Sequence, residues 1–540
     1  MNILDKRKAE IRKRNARIHS EKVCCKCGSD LDLRCVCRKC GNHERMSAKE
    51  RIQEITDCGF LFREILKECD RDNSEEFDYD EKFKKCKQES GLNEAVVVGV
   101  CKNQVTSFLT IIMDAAFMAG TLSKSNGEKI VRAFEYAKRK KLPLVAFCAS
   151  GGVRLQEGMS GLVQMAKIDV ALMKYKEERV PFISVLTDPT YGGVTASFAL
   201  MGDVNLIEKG ASVGFGGKML TKEVLHENVS DEFQSDEYAL NNGEVDIICE
   251  RRDLMDIVLE LLDMFNGENQ IGMGGEPEYD YEAKEPEQIL HELRKGEKPV
   301  GIDYLDKLFD ERILLEGDRL SHADSSIMCG LGKTSGMKTV FVIQNKGRNL
   351  AERKKSNYGM TSPEGYRKTM RMVGLAERFQ LPVLILIDSP GAYAGDKAER
   401  NCQCLAISES MMALFRAKTR IVTIVVGEGC SGGALALSIS DALGMFSRAI
   451  YSVISPESYM AITKKQQKNF ANVLTKMKLT ARDLYEAGLI DAVLKEGELD
   501  YNVDQIKKYY KKSLMDLNAM EMKQILKRRY NRIRNWDKNG

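Results

Sequence analysis

Two pairs of adjacent glycines carry the clearest chemical signal in this 540-residue sequence. Gly192-Gly193 follows the apolar run 182–186, and Gly432-Gly433 follows the apolar run 421–426. A strand, a Gly-Gly turn and a helix in this order point free N–H groups and the positive end of a helix dipole at an anion. Enzymes use paired N–H groups of this kind to hold a developing oxyanion. The two turns therefore predict a reaction with two oxyanions, catalysed mainly by backbone N–H groups.

The spacing of the turns indicates an internal duplication. Pro143 and Gly193 are 50 positions apart (193 − 143), and Pro382 and Gly433 are 51 apart (433 − 382), with a Ser-x-Gly turn between them in both halves. A single Gly-Gly pair more often serves a tight turn or close packing of a strand on a helix. Because the pair recurs at matching spacing, we favour the functional interpretation for both.

Residues for conventional acid–base or nucleophilic catalysis are scarce. The chain has five histidines, and none is placed near a glycine turn in a way that suggests a triad. Cys430-Ser431 could supply a nucleophile, but no base accompanies it. No GxxxxGK[ST] motif is present, so ATP hydrolysis is not expected. The basic runs 346–348 and 353–355 are either solvated charges or contacts to the phosphates of a nucleotide-like ligand.

A cluster of cysteines near the N-terminus predicts a metal site. Six of the 16 cysteines lie within 24–40. Two CxxC pairs separated by a short loop fit tetrahedral zinc bound by thiolates, with no open position for catalysis. The predicted ligands are Cys24, Cys27, Cys37 and Cys40, with Cys25 and Cys35 as possible replacements in a shifted register.

Composition bounds the class of protein. Hydrophobic residues make up 43% and charged residues 30%, and the net charge is +3, as in a globular protein. No apolar run approaches the roughly 20 residues that span a bilayer, and the charged N-terminus does not resemble a secretory signal. The expected location is the cytoplasm.

The pattern of apolar runs predicts an α/β fold with two domains. The expected organisation is a basic arm (1–23), a four-cysteine zinc ribbon (24–43), a first α/β domain (44–265), a linker (266–290) and a second α/β domain (291–540). In the first domain we predict strands at 95–100, 144–147 and 183–186, and helices at 128–139, 161–176 and 197–207, after a polar helical stretch at 44–90. In the second domain we predict strands at 339–344, 383–387 and 421–426, helices at 365–379 and 434–443, and a basic helical tail from 503.

Several longer motifs resemble a known family. The paired CxxC motifs, Ala-Ser-Gly-Gly-Val-Arg-Leu-Gln-Glu at 149–157 and Leu-Thr-Asp-Pro-Thr-Tyr-Gly-Gly-Val at 186–194 look like the β subunit of bacterial acetyl-CoA carboxylase carboxyltransferase. The motifs that look like its α subunit are Lys-Gly-Arg at 346–348, Tyr-Gly-Met at 358–360, Pro-Glu-Gly-Tyr-Arg-Lys at 363–368, Asp-Ser-Pro-Gly-Ala-Tyr at 388–393, Gly-Glu-Gly-Cys-Ser-Gly-Gly-Ala at 427–434 and Tyr-Ser-Val-Ile-Ser-Pro-Glu at 451–457. The chain thus resembles a fusion of the two subunits, β first.

The resemblance implies a crotonase-type fold in both halves with the active site between them. It also implies carboxyl transfer from carboxybiotin to acetyl-CoA, giving malonyl-CoA for fatty acid synthesis. Gly192-Gly193 and Gly432-Gly433 would form the two oxyanion holes, one for the thioester enolate and one for the biotin ureido oxygen, and the ureido nitrogen would take the acetyl proton. The residues expected to bind substrate are Ser150, Gly151, Gly152, Arg154, Lys346, Arg348, Gly391, Ala392 and Tyr393.

The resemblance also implies partners. Lys478 follows Met477 but precedes Leu479, which does not fit a biotinylation site, so we expect a separate biotin carboxyl carrier protein. A biotin carboxylase and a dimer of fused chains are expected as well.

The sequence departs from the family at three places. The loop between the CxxC pairs has nine residues (28–36) and is shorter than usual, the second half lacks most of the usual helical extension before 302–304, and residues 397–406 differ from the usual sequence.

Three other functions are compatible with parts of the sequence. One is a biotin-dependent carboxyltransferase or decarboxylase for a larger acyl-CoA. Another is nucleic-acid binding by the basic arm and zinc ribbon, as the main function or a side activity, although aromatic residues are nearly absent around 1–45. An acyl-CoA hydratase is disfavoured because no pair of glutamates accompanies the glycine turns.

Overall fold

A computed structural model describes most of the chain as two compact units. The units are Met1–Asn266 and Gly267–Gly540. The described residues are 23–67, 78–218, 221–222, 226–266, 275–463 and 470–536. The predicted basic arm, except residue 23, and part of the predicted linker lie outside them. No helix among the described residues is long and apolar enough to cross a membrane.

Unit 1 is built on a sheet of eight strands. Its path runs β1-β2-β3-β4-β5-β6-β8, and β7 pairs with β5. The first three strands are antiparallel, and the pairs from β3 to β8 are parallel. The strands are β1 (Leu61–Ile65), β2 (Val96–Lys102), β3 (Ser107–Met113), β4 (Leu144–Ser150), β5 (Phe182–Tyr191), β6 (Val204–Glu208), β7 (Val213–Gly214) and β8 (Ile247–Cys249).

Unit 2 repeats this topology. Its path runs β16-β14-β13-β12-β11-β10-β9, and β15 pairs with β13. The three strands β9, β10 and β11 are antiparallel, and the pairs from β11 to β16 are parallel. The strands are β9 (Glu311–Leu314), β10 (Ile327–Thr334), β11 (Met337–Gln344), β12 (Val383–Ser389), β13 (Ile421–Cys430), β14 (Ala442–Phe446), β15 (Ile450–Ser452) and β16 (Ala492–Leu494).

Each unit also contains helices before, between and after its strands. Those of unit 1 are α1 (Ala48–Asp57), α2 (Tyr79–Ser90), α3 (Lys124–Lys140), α4 (Gly158–Tyr175), α5 (Asp236–Asn241) and α6 (Arg251–Met264). Those of unit 2 are α7 (Pro286–Lys295), α8 (Gly301–Leu308), α9 (Leu350–Lys355), α10 (Pro363–Phe379), α11 (Asp396–Arg400), α12 (Gln403–Arg416), α13 (Ser431–Ser438), α14 (Pro456–Thr463), α15 (Phe470–Met477), α16 (Ala481–Glu486), α17 (Leu499–Asn518) and α18 (Met522–Arg534).

A constant offset of 239 residues (383 − 144) relates the central parts of the two units. It superimposes the bounds of β4 on β12, β5 on β13 and α3 on α10 without any insertion. It also pairs residues with the same left-handed backbone, such as Ala119 with Tyr358 and Lys141 with Gln380. Left-handed conformation is unusual outside glycine, so its recurrence at matched positions supports a duplicated fold.

The strands of the sheet are apolar because both faces are covered. Every residue of β4 and every residue of β12 is buried. Ser123 caps the N-terminus of helix α3, because its side chain accepts a hydrogen bond from the Asn126 N–H. The helix buries Ile130 and Phe134 against the sheet. Runs of this kind are typical of parallel strands between helical layers.

Four secondary-structure predictions were wrong in part. Helices were predicted over 197–207 and 434–443, but a short helical segment in each place is followed by a buried strand, β6 or β14. Short apolar runs do not distinguish a buried strand from a helix, and only sheet pairing decides between them. The stretch 44–90 contains the edge strand β1 between two helices. Helix α7 begins inside the predicted linker, with a proline in its first turn and Leu290 buried.

Candidate active site

The two glycine turns of unit 1 touch each other at the carboxyl ends of β4 and β5. A Cβ built on Gly152 would lie 3.5 Å from the Cα of Gly192 and 3.6 Å from the N of Gly193. Gly152 and Gly192 both have positive φ angles, of 120° and 59°. Glycine is favoured here because side chains disfavour these positive φ angles, and because a Cβ on Gly192 would lie only 3.0 Å from the Cα of Gly152.

At this contact, two backbone N–H groups have no acceptor among the described residues and are available to a ligand. The N–H of Gly192 donates to the carbonyl of Phe215 (2.9 Å), so Gly192 is not the free donor that the sequence predicted. Among the hydrogen bonds of the described residues, the N–H groups of Gly193 and Val153 donate to no protein acceptor. These two groups flank the Gly152–Gly193 contact and are the candidate oxyanion donors of unit 1.

Unit 2 contains the equivalent turn, displaced by one residue from the predicted alignment. The offset places Ser431 on Gly192 and Gly432 on Gly193, and Ser431 has the left-handed φ of 66°. Gly432 and Gly433 lie in the first turn of α13, where N–H groups have no acceptor within the helix. The N–H of Ala392, the counterpart of Val153, donates to no protein acceptor among the described residues. The candidate donors of unit 2 are therefore Gly432 and Ala392.

Gly433 has a packing role beside these donors. A Cβ at Gly433 would lie 2.4 Å from the N of Ala392 and 2.8 Å from the carbonyl carbon of Gly391. The hydroxyl of Tyr366 also donates to the Gly433 carbonyl at 3.2 Å. Gly433 therefore lets α13 pack directly on the turn that follows β12.

A buried serine hydroxyl accepts a hydrogen bond from the backbone of each turn. The hydroxyl of Ser150 accepts the N–H of Gly152 at 3.0 Å, and the hydroxyl of Ser389 accepts the N–H of Gly391 at 3.1 Å. Both serines are fully buried. The structure therefore places the predicted substrate ligand Ser150 under the turn, where it fixes the backbone. The recurring Ser-x-Gly was the sequence signal for this role.

Arg154 is not available to substrate, contrary to its prediction. Its buried guanidinium forms two 2.8 Å hydrogen bonds to the carboxylate of Glu94. Burial favours loss of the proton, but the Glu94 carboxylate outweighs this and raises the pKa of Arg154. The N–H of Arg154 donates to the Leu122 carbonyl at 2.7 Å. Arg154 thus anchors the loop that follows Gly152. Gly151, at the start of this turn, is exposed.

The basic run 346–348 is engaged with carboxylates of its own unit. Lys346 Nζ lies 2.7 Å from Asp388 Oδ1 and also contacts Glu428. Arg348 pairs with Asp303 at 2.6 Å and with Asp306 at 2.7 Å. Neither prediction for this run, a solvated charge or a phosphate ligand, describes Lys346.

Residues 397–406, where the sequence departs from the family, support the turn after Gly391. Gln403 Nε2 donates to the carbonyl of Tyr393 at 2.8 Å and to that of Thr361 at 2.7 Å. Tyr393 is partly exposed beside Ala392, consistent with a position near a ligand.

The alternative thiol nucleophile does not fit its surroundings. Cys430 is buried, and burial raises the pKa of its thiol to about 12. A thiol that stays protonated near neutral pH is a poor nucleophile. Among the described hydrogen bonds, that of Cys430 Sγ is a 3.5 Å contact to Ser452 Oγ.

The four predicted metal ligands converge at the N-terminus. The Sγ atoms of Cys24, Cys27, Cys37 and Cys40 all lie within 4.8 Å of one another. Three of the S–S distances are 3.4–3.6 Å. Zn–S bonds of about 2.3 Å in a regular tetrahedron require S–S distances of about 3.8 Å, so the cage has the size of a zinc site.

Two equivalent turns build this cage. The N–H of Gly28 donates to the Cys24 carbonyl at 2.8 Å, and the N–H of Gly41 donates to the Cys37 carbonyl at 3.0 Å. Both glycines have φ near 70°. Cys35 is buried outside the cage, and Cys25 is exposed. The alternative register with these cysteines is therefore not the one the structure adopts.

Arg251 docks the ribbon on the sheet of unit 1, a role that the sequence did not indicate. Its Nη1 donates to the carbonyls of Arg34 (2.8 Å) and Glu44 (2.9 Å), and its Nη2 pairs with Glu208 at 2.6 Å. Buried Arg51 also pairs with Glu208. Burial alone would raise the pKa of Glu208, but the two arginines outweigh it and lower the pKa to about 2.

The segment that follows the ribbon contacts the strand that carries the glycine turn. Arg45 Nε donates to Asp188 Oδ2 at 2.9 Å, and Asp188 precedes a cis-proline at position 189 on β5. The second carboxylate oxygen of Asp188 accepts the N–H of Ser212 at 3.2 Å. Ribbon, strand end and the following segment are therefore connected within unit 1.

Known proteins resemble this chain over nearly its whole length. A family model described as "Acetyl co-enzyme A carboxylase carboxyltransferase-like" matches residues 276–537. The protein of Clostridium tetani called acetyl-coenzyme A carboxylase carboxyl transferase subunits beta/alpha is 37% identical over 533 residues, which cover 95% of this chain and 92% of that protein. The protein of the same name from Natranaerobius thermophilus is 35% identical, over 92% of this chain and 87% of that protein.

Solved structures show the same fold. Transcarboxylase 12S, solved with methylmalonyl-coenzyme A bound, superposes with a TM-score of 0.71 at 19% identity, over 88% of this chain and 90% of that one. A single-chain, multi-domain long-chain acyl-CoA carboxylase superposes with a TM-score of 0.66 at 18% identity, over 87% of this chain and 46% of that one. The predicted fold class, two crotonase-type α/β domains, is confirmed. On sequence identity and coverage, the chain belongs to the family of acetyl-coenzyme A carboxylase carboxyl transferases that join the beta and alpha subunits.

Proposed function

We propose that the chain is the carboxyltransferase of an acetyl-CoA carboxylase and moves the carboxyl group of carboxybiotin to acetyl-CoA, giving malonyl-CoA. The observation that carries this proposal is the pair of equivalent turns, each with two N–H groups that no protein acceptor uses among the described residues. The reaction has two oxygens that gain negative charge, on the thioester and on the ureido ring, and one turn is available for each. Family membership gives the substrates, since the relatives are named for acetyl-coenzyme A.

The residues of the turns define what each contributes. In unit 1, Gly193 and Val153 would donate to one oxyanion, and in unit 2, Gly432 and Ala392 would donate to the other. Such donors are effective because Ser150 and Ser389 hold the backbone in place before substrate binds, so no reorganisation is needed during the reaction. We keep Gly151, Gly152 and Tyr393 as substrate contacts in this proposal, since they lie in or beside the turns.

The proposal requires no histidine or thiol as a base. Carboxybiotin would supply the carboxyl group, and its ureido nitrogen would take the acetyl proton. The chain's own residues then bind, orient and stabilise charge. This agrees with the burial of Cys430, which raises the pKa of its thiol.

The reverse reaction tests the proposal most directly. Purified protein is mixed with malonyl-CoA and either free biotin or a biotinylated carrier protein, and the two acyl-CoA species are measured. We expect biotin-dependent loss of malonyl-CoA and formation of acetyl-CoA. Turnover of methylmalonyl-CoA or glutaconyl-CoA without turnover of malonyl-CoA would instead favour the alternative with a larger acyl-CoA.

We further propose that the four-cysteine cage holds one structural zinc ion. All four protein ligands would be thiolates, which leaves no open position for catalysis. Zinc would fix the ribbon that Arg251 and Arg45 connect to the sheet and to β5.

Carboxybiotin would arrive on a separate carrier protein charged by a biotin carboxylase, because the relatives are named as subunits of a carboxylase. Chromatography with light scattering would test the expected dimer, and co-purification with a biotinylated carrier would test the partnership.

A further inference from the structure

The turn of unit 2 rests on a cluster of charges that includes two buried carboxylates, those of Asp388 and Glu428. Asp388 and Glu428 lie near the carboxyl ends of the neighbouring strands β12 and β13. Ser389, which braces the Gly391 turn, is next to Asp388, and the segment that leads to Gly432 begins just after Glu428. A contact that fixes the distance between the Asp388 and Glu428 carboxylates therefore also fixes the distance between the Gly391 turn and the Gly432 turn of unit 2.

Lys346 connects these carboxylates. Its ammonium group lies 2.7 Å from Asp388 Oδ1 and also contacts Glu428. Asp388 Oδ1 accepts the N–H of Glu428 at 2.9 Å, so the strand ends are joined by a backbone bond as well. Arg294 of α7 contacts the other side of Glu428 and pairs with Glu457 at 2.7 Å.

Electrostatics make the lysine necessary for this arrangement. The side chains of Asp388 and Glu428 are only 6% and 4% exposed, so two adjacent carboxylates are held where water screens them poorly. Burial favours the neutral amine, yet Asp388 and Glu428 outweigh it and raise the pKa of Lys346. Burial likewise opposes ionisation of Glu428, but Lys346 and Arg294 lower its pKa. Without Lys346 the two carboxylates would repel each other.

The corresponding positions of unit 1 carry no charge. The offset of 239 residues places Ala149 on Asp388 and Pro189 on Glu428. There the strand ends are joined by the hydroxyls of Thr187 and Thr190, which donate to the Cys148 carbonyl at 2.8 Å. The residue next to Pro189, Asp188, is charged but pairs with Arg45 and does not join the two strands. A lysine that bridges the two strand ends is therefore a property of the unit 2 turn and not a general requirement of the fold.

We propose that Lys346 is a positioning residue that sets the spacing of the Gly391–Ala392 and Ser431–Gly432 turns by neutralising Asp388 and Glu428. Lys346 would act on the backbone donors and not on substrate. This inference rests on the proposed function, because it assigns the second turn a part in carboxyl transfer.

The test compares Lys346→Met with the double variant Lys346→Met/Asp388→Asn in the malonyl-CoA assay. Methionine removes the charge with little change of volume, and should lower kcat by about 10²-fold, as expected when donors move by about 1 Å, with a much smaller change in KM. The double variant removes one of the two repelling charges. Glu428 keeps Arg294, and the amide oxygen introduced by Asp388→Asn can still accept the Glu428 N–H. With the charges balanced in this way, kcat should recover at least about tenfold.

Two further measurements separate positioning from general stability. Lowering the pH should narrow the difference in kcat between wild type and Lys346→Met, because a proton on Glu428, whose pKa Lys346 helps to hold down in the wild type, relieves the repulsion. The control Lys368→Met removes another buried lysine, which pairs with Glu316 at 2.7 Å, and should lower stability without this pH dependence or a rescue by Asp388→Asn.

Hydrogen exchange of peptides covering 389–393 and 429–434 supplies a readout that does not depend on activity. Exchange should be faster in Lys346→Met and return towards wild type in the double variant. If Lys346→Met does not fold, the double variant alone is decisive, and it should be folded and active. A double variant with wild-type exchange but the low kcat of Lys346→Met would overturn the inference, because Lys346 would then act on substrate.

A wild-type enzyme without biotin-dependent malonyl-CoA turnover would refute the proposed function instead. The exchange comparison would still decide whether Lys346 sets the turns. Unchanged exchange in a folded Lys346→Met variant would show that it does not.

Discussion

Replacing Gly432 by alanine should separate the backbone-donor mechanism from effects on folding. Gly432 lies in the first turn of α13, and a Cβ built there has Ile407 Cγ2 as its nearest neighbour, at 3.9 Å. That distance is ordinary van der Waals contact, so alanine fits without displacing an atom. Replacing glycine where the backbone is compatible stabilises a protein by about 0.4–1 kcal/mol, through the unfolded chain.

Activity should change in the opposite direction. A methyl group beside the Gly432 N–H hinders the approach of an oxygen to that donor, and loss of one oxyanion donor costs about 10²–10³ in rate, or roughly 2.7–4 kcal/mol. We therefore expect Gly432→Ala to lower kcat by up to about 10²-fold and Gly432→Val to lower it further. Thermal unfolding and the malonyl-CoA assay measure the two effects on the same samples.

Gly374→Ala is the matched control. Gly374 is an exposed glycine of α10 with no atom within 4 Å of a built Cβ. Its replacement should raise stability slightly and leave kcat unchanged. Gly433→Ala is a poor test, because its Cβ would lie 2.4 Å from the Ala392 nitrogen and should destabilise the turn itself. A Gly432→Val enzyme with wild-type kcat would refute the assignment of Gly432 as a donor.

Features determined by local sequence were predictable. The CxxC turns need only four or five residues and a left-handed glycine each, and the structure brings the four cysteines of both turns together as predicted. The central strands β4, β5, β12 and β13 are apolar runs between helices, and their existence followed from that pattern although each extends further than predicted. The duplication was visible because the turns repeat at nearly constant spacing.

Features determined by tertiary neighbours were not predictable. The choice of Gly192-Gly193 and Gly432-Gly433 as equivalents was wrong by one residue, because Ser431 adopts the backbone conformation that glycine has in unit 1. The N–H of Gly192 donates to the carbonyl of Phe215, and the guanidinium of Arg154 pairs with the carboxylate of Glu94. Both partners are distant in sequence. A basic residue beside a glycine turn can either bind substrate or form a buried ion pair. Only the three-dimensional position of a partner carboxylate distinguishes the two roles.

Three further predictions concern metal content and buried charges. Metal analysis of protein purified without chelator should find one zinc ion per chain, and Cys40→Ser should lower both zinc content and thermal stability, because an incomplete thiolate set binds zinc weakly. Arg154→Met should destabilise the protein by about 3–5 kcal/mol, because it leaves the buried Glu94 carboxylate without its cationic partner, whereas a direct substrate ligand would mainly raise the KM for malonyl-CoA. Glu208 has a pKa of about 2 in the folded protein and an ordinary value near 4.5, so its contribution is complete above pH 4.5 and disappears as the pH falls towards 2. Each pKa unit corresponds to about 1.4 kcal/mol, so about 3 kcal/mol of stability should depend on this carboxylate. Urea unfolding should therefore show that Glu208→Gln is less stable than wild type at pH 7 and that the difference shrinks between pH 4.5 and pH 3. A difference that stays constant over this range would mean that Arg51 and Arg251 do not hold Glu208 ionised.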